Sequence, residues 1–358
     1  MKARRLLVYL VLGLALLGLI AWTMRETISL AVASRVATAR LNIDGVSELP
    51  DGLHVRVCGA GSPFPDERRL GPCTVVIAGT RLMVFDAGTG VRNLTRMGIS
   101  PGRVDAIFLT HFHSDHIDGL GELLLQRWVS GGPTQAVPLY GPSGVEQVAA
   151  GLMQAYQHDQ GYRIAHHGES VLPPQGFGAQ VRPFSLGDAG RAVVMSEGEL
   201  EVVAFAVDHS PVHPAVGYRI RYKGRTMVLS GDTKLSAAVQ REAKGADLLV
   251  HEALSPRLVG LLTDAANTSG KARMAKLFTD IVDYHATPEE AADTAREAGV
   301  RYLLLNHIVP TLPPLPGLEE AFLGDAPRRF TGTLRIARDG DFLSLPAGST
   351  AIQTSHHF

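Results

Sequence analysis

The chain has 358 residues, with 34 Lys and Arg against 35 Asp and Glu, a formal net charge of −1 and 45% hydrophobic residues. That balance excludes a charge-rich disordered chain and leaves no overall positive field for gathering polyanions. Two cysteines exclude a disulfide-dense scaffold, and the length suits one large layered α/β domain.

At the N-terminus, Lys2, Arg4 and Arg5 precede an uncharged, mainly apolar run from Leu6 to Met24. Its length is about the minimum for a membrane-spanning helix, roughly 20 residues, and exceeds the roughly 7–15 residues of a signal-peptide core. Ala31-Val32-Ala33 offers a cleavage site, but Arg25 and Glu26 stand between it and the apolar run. A retained anchor over 1–24 is therefore expected ahead of a cleaved signal. Residues 25–50 read as a helical or irregular linker ending at Glu48-Leu49-Pro50-Asp51-Gly52, followed by one domain over 51–347 and a tail over 348–358, in which His356-His357 is expected to be disordered.

Cys58 and Cys73 lie on consecutive strand-like segments joined by a Pro/Gly loop. A bridge between them is open, with two buried thiols the favoured reading. Val104–Thr110 is apolar and β-branched enough for a buried strand, and it runs into His111-Phe112-His113-Ser114-Asp115-His116. Alternate side chains of an extended stretch share a face, so His111 and His113 can hold one ion while Asp115 and His116, on the following turn, reach a second. Two such ions would share one bridging hydroxide.

The same pattern repeats downstream. A strand-like run over 201–207 leads to His209, one over 226–230 to Asp232, and one over 301–305 to His307. His209 would complete the first site, His307 the second, and Asp232 would bridge both. Alone each is weak; together they make a seven-ligand dinuclear site of His111, His113, Asp115, His116, His209, Asp232 and His307.

With these residues in view, the chain resembles the metallo-β-lactamase-fold hydrolases over roughly residues 53–345, and is most similar to their ribonuclease Z and phosphodiesterase-like branch. Cys58-Gly59-Ala60-Gly61-Ser62-Pro63 and Phe85-Asp86-Ala87-Gly88-Thr89-Gly90 resemble that branch's two Gly-rich turns. The resemblance implies a four-layer αβ/βα sandwich, here preceded by one N-terminal transmembrane helix, with metals along the edge between two sheets and Asp86 as a buried buttress rather than a ligand.

His251-Glu252-Ala253, followed by His285-Ala286-Thr287-Pro288-Glu289-Glu290, resembles the branch's His-Glu-Ala signature and its later histidine. The resemblance implies that Glu252 orients His285 to assist the leaving oxygen. The chemistry is sound on its own terms, because a carboxylate fixes the imidazole tautomer and raises its basicity. A plainer reading has His285 leading into a helix with Thr287 as N-cap and Pro288 in the first turn, and the two readings are compatible.

Asp232 at the bridging position suits hydroxide-bridged hard ions acting on a phosphoester. The expected activity is phosphodiesterase-like hydrolysis, with the hydroxide as nucleophile and Asp115, Glu252 and His285 as catalytic residues. A β-lactamase, arylsulfatase or lactonase on the same metals is the enzymatic alternative, and a catalytically silent binding module the other. The ions are expected to be Zn, with Mn or Fe open.

The substrate is expected to be a small-molecule or short phosphodiester or ester. The Pro/Gly-rich tract around Leu172–Gly190 reads as a lid, a shortened arm or a plain surface excursion, and Arg163, Arg182 and Arg191 make no basic claw. Ile308-Val309-Pro310 also departs from the continuation expected after the last ligand of a transfer-RNA processing enzyme. Structured tRNA is therefore not the expected substrate. With the N-terminus inside, the chain would be a single-pass protein of the bacterial inner membrane with a periplasmic catalytic domain. A homodimer is open.

Overall fold

The computed structural model describes residues 2–42 and 44–358 and divides into two compact units, one up to Asp44 and one over Gly45–Phe358. In the first unit Lys2–Thr23 and Arg25–Asn42 are helices. Arg4–Thr23 has a mean hydropathy of 2.4 and is long and apolar enough to cross a membrane, a property that a signal sequence shares. At about 1.5 Å per residue the 20-residue stretch is about 30 Å long, the thickness of a bilayer's hydrocarbon. Leu6, Leu10, Leu17 and Trp22 on it are exposed.

The second unit contains the strands β1 (Gly52–Gly59), β2 (Cys73–Ala78), β3 (Arg81–Phe85), β4 (Ala106–Phe108), β5 (Val137–Pro142), β6 (Ala179–Phe184), β7 (Arg191–Glu197), β8 (Leu200–Ala206), β9 (Val216–Tyr222), β10 (Arg225–Leu229), β11 (Leu248–Leu254), β12 (Tyr302–Val309), β13 (Thr333–Ile336), β14 (Asp341–Pro346) and β15 (Gln353–His356). One eight-stranded sheet has the order β15-β14-β1-β2-β3-β4-β5-β6, and a seven-stranded sheet has the order β13-β12-β11-β10-β9-β8-β7. Neighbours from β3 to β6 and from β10 to β13 pair in parallel. Parallel strands covered on both faces read as unbroken apolar runs, and β11 and β12 are buried at every position.

Between the sheets, Leu53, Val55 and Phe108 of the first meet Val202, Tyr218, Leu248 and Leu304 of the second. Helices Leu120–Gly131 and Val145–His167 cover the outer face of the first sheet through Leu123, Leu124, Val145 and Ala149. Helices Ala237–Ala243 and Pro288–Glu297 cover the second through Val239, Ala291 and Ala295. The result is helix, sheet, sheet, helix.

Three local expectations change. Cys58 and Cys73 form a disulfide with Cα atoms 5.0 Å apart, because the register of β1 on β2 shifts after Val57 and sets Cys73 opposite Gly59, next to Cys58. The tail is ordered as β15, which covers the edge of β14 and ties His356 Nδ1 to Asp341 Oδ1 at 3.0 Å. The tract around Leu172–Gly190 is no protruding arm. Its turn is anchored where Trp128 Nε1 donates to the Pro173 carbonyl at 2.8 Å, and its strand β6 closes the sheet against β5.

Candidate metal centre

The parallel strands bring their C-terminal ends to one edge of the sandwich, where open α/β folds place ligands. After β4 the chain stays extended to His113, which caps a single helical turn over Ser114–Ile117 that carries Asp115 and His116. His209 follows β8, Asp232 follows β10 across the Gly231 turn, and Glu252 lies within β11. His307 lies inside β12, not after it, at a register shift against Glu252 and Ala253. It adopts φ 46°, a conformation unusual for a residue with a side chain. Such bulges re-aim a side chain, and this one turns His307 toward the cluster.

The sequence-selected residues converge. His111, His113, His209 and Asp232 form one group, Asp115, His116 and His307 a second, and Asp232, His285 and His307 a third, with the ligand atoms of each group within 4.8 Å of one another. Asp232 Oδ2 lies 3.2 Å from His307 Nε2, 3.3 Å from His116 Nε2, 3.9 Å from His111 Nε2 and 4.0 Å from His209 Nε2. It therefore faces both of the first two groups. His111 Nε2 and His209 Nε2 stand 3.0 and 3.4 Å from His113 Nδ1. Ligands at about 2.0–2.1 Å from a tetrahedral ion would be about 3.4 Å apart, so these spacings suit a common ion. Among the described residues the buried His116 Nε2 has no hydrogen-bond partner, which also fits a ligand atom. The donor set of imidazoles and carboxylates suits a divalent metal.

The supporting shell is built from neighbouring strand ends. Asp86 Oδ2 accepts from His116 Nδ1 at 2.8 Å, and Asp86 Oδ1 accepts from the Thr110 backbone N–H at 2.8 Å. Asp86 itself has φ 56°, a conformation of the kind sites hold under constraint. Gly88 is required for close approach, since a Cβ there would lie 2.0 Å from the Asp115 carbonyl oxygen. Glu252 Oε1 pairs with His285 Nδ1 at 2.8 Å and also accepts from the Thr233 N–H at 2.9 Å. A capping box of Thr287 and Glu290 with Pro288 in the first turn starts the helix just beyond His285.

Two residues escaped the sequence reading. Thr110 Oγ1 contacts both Asp86 and His111 Nδ1, and the Tyr284 carbonyl accepts from His209 Nδ1 at 2.9 Å. Each immediately precedes a singled-out histidine, which is the one signal that could have marked it.

Burial holds the His111 imidazole well below its ordinary pKa, with His116 adding to the effect. Burial also lowers His113 and His209. In the second group burial opposes the charged imidazole, but carboxylates win. Asp232, Asp86 and Asp115 hold His116 well above its usual value, and Asp232 with Asp115 raises His307 to about 8. Burial resists ionisation of Asp232 and Asp115 too, yet the adjacent imidazoles keep both carboxyls below the usual range.

Fold and site together define a metallo-β-lactamase-type hydrolase. The Beta-lactamase superfamily domain matches residues 81–308. Ribonuclease Z of Mycolicibacterium gilvum (strain PYR-GCK) is 37% identical over 290 residues, 80% of this chain and 94% of that protein. Ribonuclease Z of Mycolicibacterium paratuberculosis (strain ATCC BAA-968 / K-10) is 36% identical over 290 residues, 80% of this chain and 96% of that protein. The metallo-beta-lactamase fold protein YhfI from Bacillus subtilis shares the fold with TM-score 0.58 at 20% identity, over 82% of this chain and 100% of that one. Human tRNase Z, short form, does so with TM-score 0.57 at 22% identity, over 82% and 99%.

The chain belongs to the β-lactamase superfamily, among relatives of ribonuclease Z, and is a metal-dependent, phosphodiesterase-like hydrolase. This relatedness overturns one expectation, that structured tRNA is not the substrate. The relatives named ribonuclease Z match along nearly their whole length, and net charge averaged over a chain does not report the local field at a cleft.

Proposed function

We propose that the chain is a ribonuclease Z-like phosphodiesterase acting on RNA, with its catalytic domain outside the cytoplasm. The observation that carries the reading is the Glu252/His285 pair, 2.8 Å apart, with His285 grouped with Asp232 and His307 at the cluster. Its Nδ1 being engaged by Glu252, His285 has Nε2 left for the substrate.

Seven residues, His111, His113, Asp115, His116, His209, Asp232 and His307, would hold two divalent ions, with Zn the first candidate. When bound, these ions supply Lewis acidity and lower the pKa of water enough for it to act as nucleophile near neutral pH. Asp115 orients the attacking water and accepts its proton. As the new P–O bond forms, the bond to the leaving oxygen breaks, and His285 Nε2 delivers a proton to that oxygen. Glu252 holds the imidazole in the required tautomer.

In this reading residues 1–24 are a membrane anchor, 25–50 a linker and 51–347 the hydrolase domain. The disulfide and the apolar N-terminal helix both support an extracytoplasmic, inner-membrane location, since disulfides persist in oxidising compartments. Thiol labelling of the protein taken directly from cells should find Cys58 and Cys73 blocked; free thiols would return the domain to the cytoplasm.

The test of activity uses the full chain in detergent with its metals quantified, on a 3′-extended tRNA transcript, bis-p-nitrophenyl phosphate, p-nitrophenyl sulfate and a chromogenic β-lactam. Phosphodiesters should be the best substrates. His285→Ala should slow them by about 10²-fold or more, the scale of a lost general acid, most of all for poor leaving groups. Preferred cleavage of the sulfate or lactam, with His285→Ala near neutral, would sink the reading.

A further inference from the structure

The rim of the centre carries an aromatic surface that this chemistry leaves unused. The Tyr284 ring lies against three of the cluster's imidazoles, with centroids 4.9 Å from His209, 4.7 Å from His285 and 6.5 Å from His113. Its backbone is pinned through the hydrogen bond from His209 Nδ1. Tyr284 as a whole stays partly exposed. The segment leading to Tyr284 also carries Phe278, stacked at 6.0 Å on Phe64 of the first Gly-rich loop. Phe64 and Asp115 line one cavity of about 600 Å³. Aromatic faces thus border the carboxylate and imidazoles of the centre. Tyr284 is only partly buried beside these imidazoles, so part of its surface remains open at the edge of the cluster.

We propose that Tyr284 is a specificity residue that stacks on an unpaired nucleobase next to the scissile phosphodiester, an inference that rests on the RNA reading above. Proteins that read unpaired RNA stack its bases on Tyr and Phe faces, and stacking tolerates any base because each has a π-face. The substrate class is then RNA with a single-stranded nucleotide at the cleavage point. Tyr284 discriminates such a substrate from a simple phosphate ester.

The experiment uses the full-length, metal-loaded protein and a 3′-extended RNA hairpin, intact or with an abasic nucleotide on either side of the cleavage point. Wild type, Tyr284→Leu and Tyr284→Phe are compared. Removing the base on one side should cost wild type about tenfold in kcat/KM, mostly through KM, and should cost Tyr284→Leu less than about twofold, because the stack is already gone. Tyr284→Phe should behave as wild type. A wild type indifferent to both abasic substrates, or equal losses in wild type and Tyr284→Leu, overturns the inference while leaving the RNA reading intact. Should Tyr284→Leu fail to fold or to hold metal, the wild-type abasic series and Tyr284→Phe still decide. Turnover of bis-p-nitrophenyl phosphate without cleavage of any RNA overturns the RNA reading and this inference with it.

Discussion

The two ligand groups share one carboxylate yet prepare their imidazoles in opposite ways. In the group of His111, His113 and His209, burial is the main influence and the rings lean toward the neutral form that a metal requires. In the group of His116 and His307, Asp86, Asp115 and Asp232 surround the rings and favour the cation. Burial opposes the charged imidazole in both groups, and it is outweighed only at His116, by Asp232, Asp86 and Asp115, and at His307, by Asp232 and Asp115. A metal bound by the second group should therefore release protons, and one bound by the first hardly any.

The largest expected effect comes from removing what the groups share. Asp232→Ala should lower turnover of bis-p-nitrophenyl phosphate by about 10³-fold or more, the scale expected when a metal-generated nucleophile is lost, and should leave the chain short of one ion by mass spectrometry. A variant that keeps both ions would show that the groups are independent.

Asp86→Ala should act more selectively. It removes the acceptor of His116 Nδ1, so chelator competition should show the second group's metal weakened by about 10–100-fold, the usual cost of losing such a partner. The first group should lose less. Equal weakening would mean that Thr110, which links Asp86 to His111, carries as much of the load as His116.

Acidity separates the groups without mutation. With His307 raised to about 8, second-group affinity should fall by up to about tenfold per pH unit as pH drops below that value, while the first group changes little down to about 6.5, the free imidazole value. Calorimetric metal titration in buffers of different ionisation enthalpy would detect the released protons. No proton release at pH 7 would break the comparison.

The smallest effect concerns the metal-free protein. A histidine whose folded pKa is raised stabilises the fold fully below its unfolded value of 6.5, and that contribution is lost as pH rises through about 8. The shift corresponds to about 2 kcal/mol. The apoprotein should therefore melt at a lower temperature at pH 9 than at pH 6. A higher melting temperature at pH 9 would mean that other groups control stability in that window.

Much of this was readable along the chain. The run from His111 to His116 stands directly after a β-branched apolar segment, and the strands leading to His209 and Asp232 were bounded to within a residue or so. The capping signals around Thr287 were equally plain, because caps and alternation depend on residues a few positions apart. His307 was placed after its strand and proves to lie inside it, since a bulge is defined only by the partner strand. The tail was misread for the same reason: the sequence of β15 carries little apolar signal, and its order comes from the open edge of β14.

Composition and local pattern thus determined the residue types of the site, the strands that carry them and the apolar N-terminal helix. Tertiary structure decided which strand ends meet. It put Asp232 Oδ2 within reach of four imidazoles, brought Cys58 to Cys73, laid Tyr284 beside the cluster and pushed the two groups of histidine pKa values in opposite directions. The physical reason is range: periodicity and capping act over one or two turns, whereas electrostatics, burial and sheet register depend on groups that the sequence here separates by 96 and 192 residues.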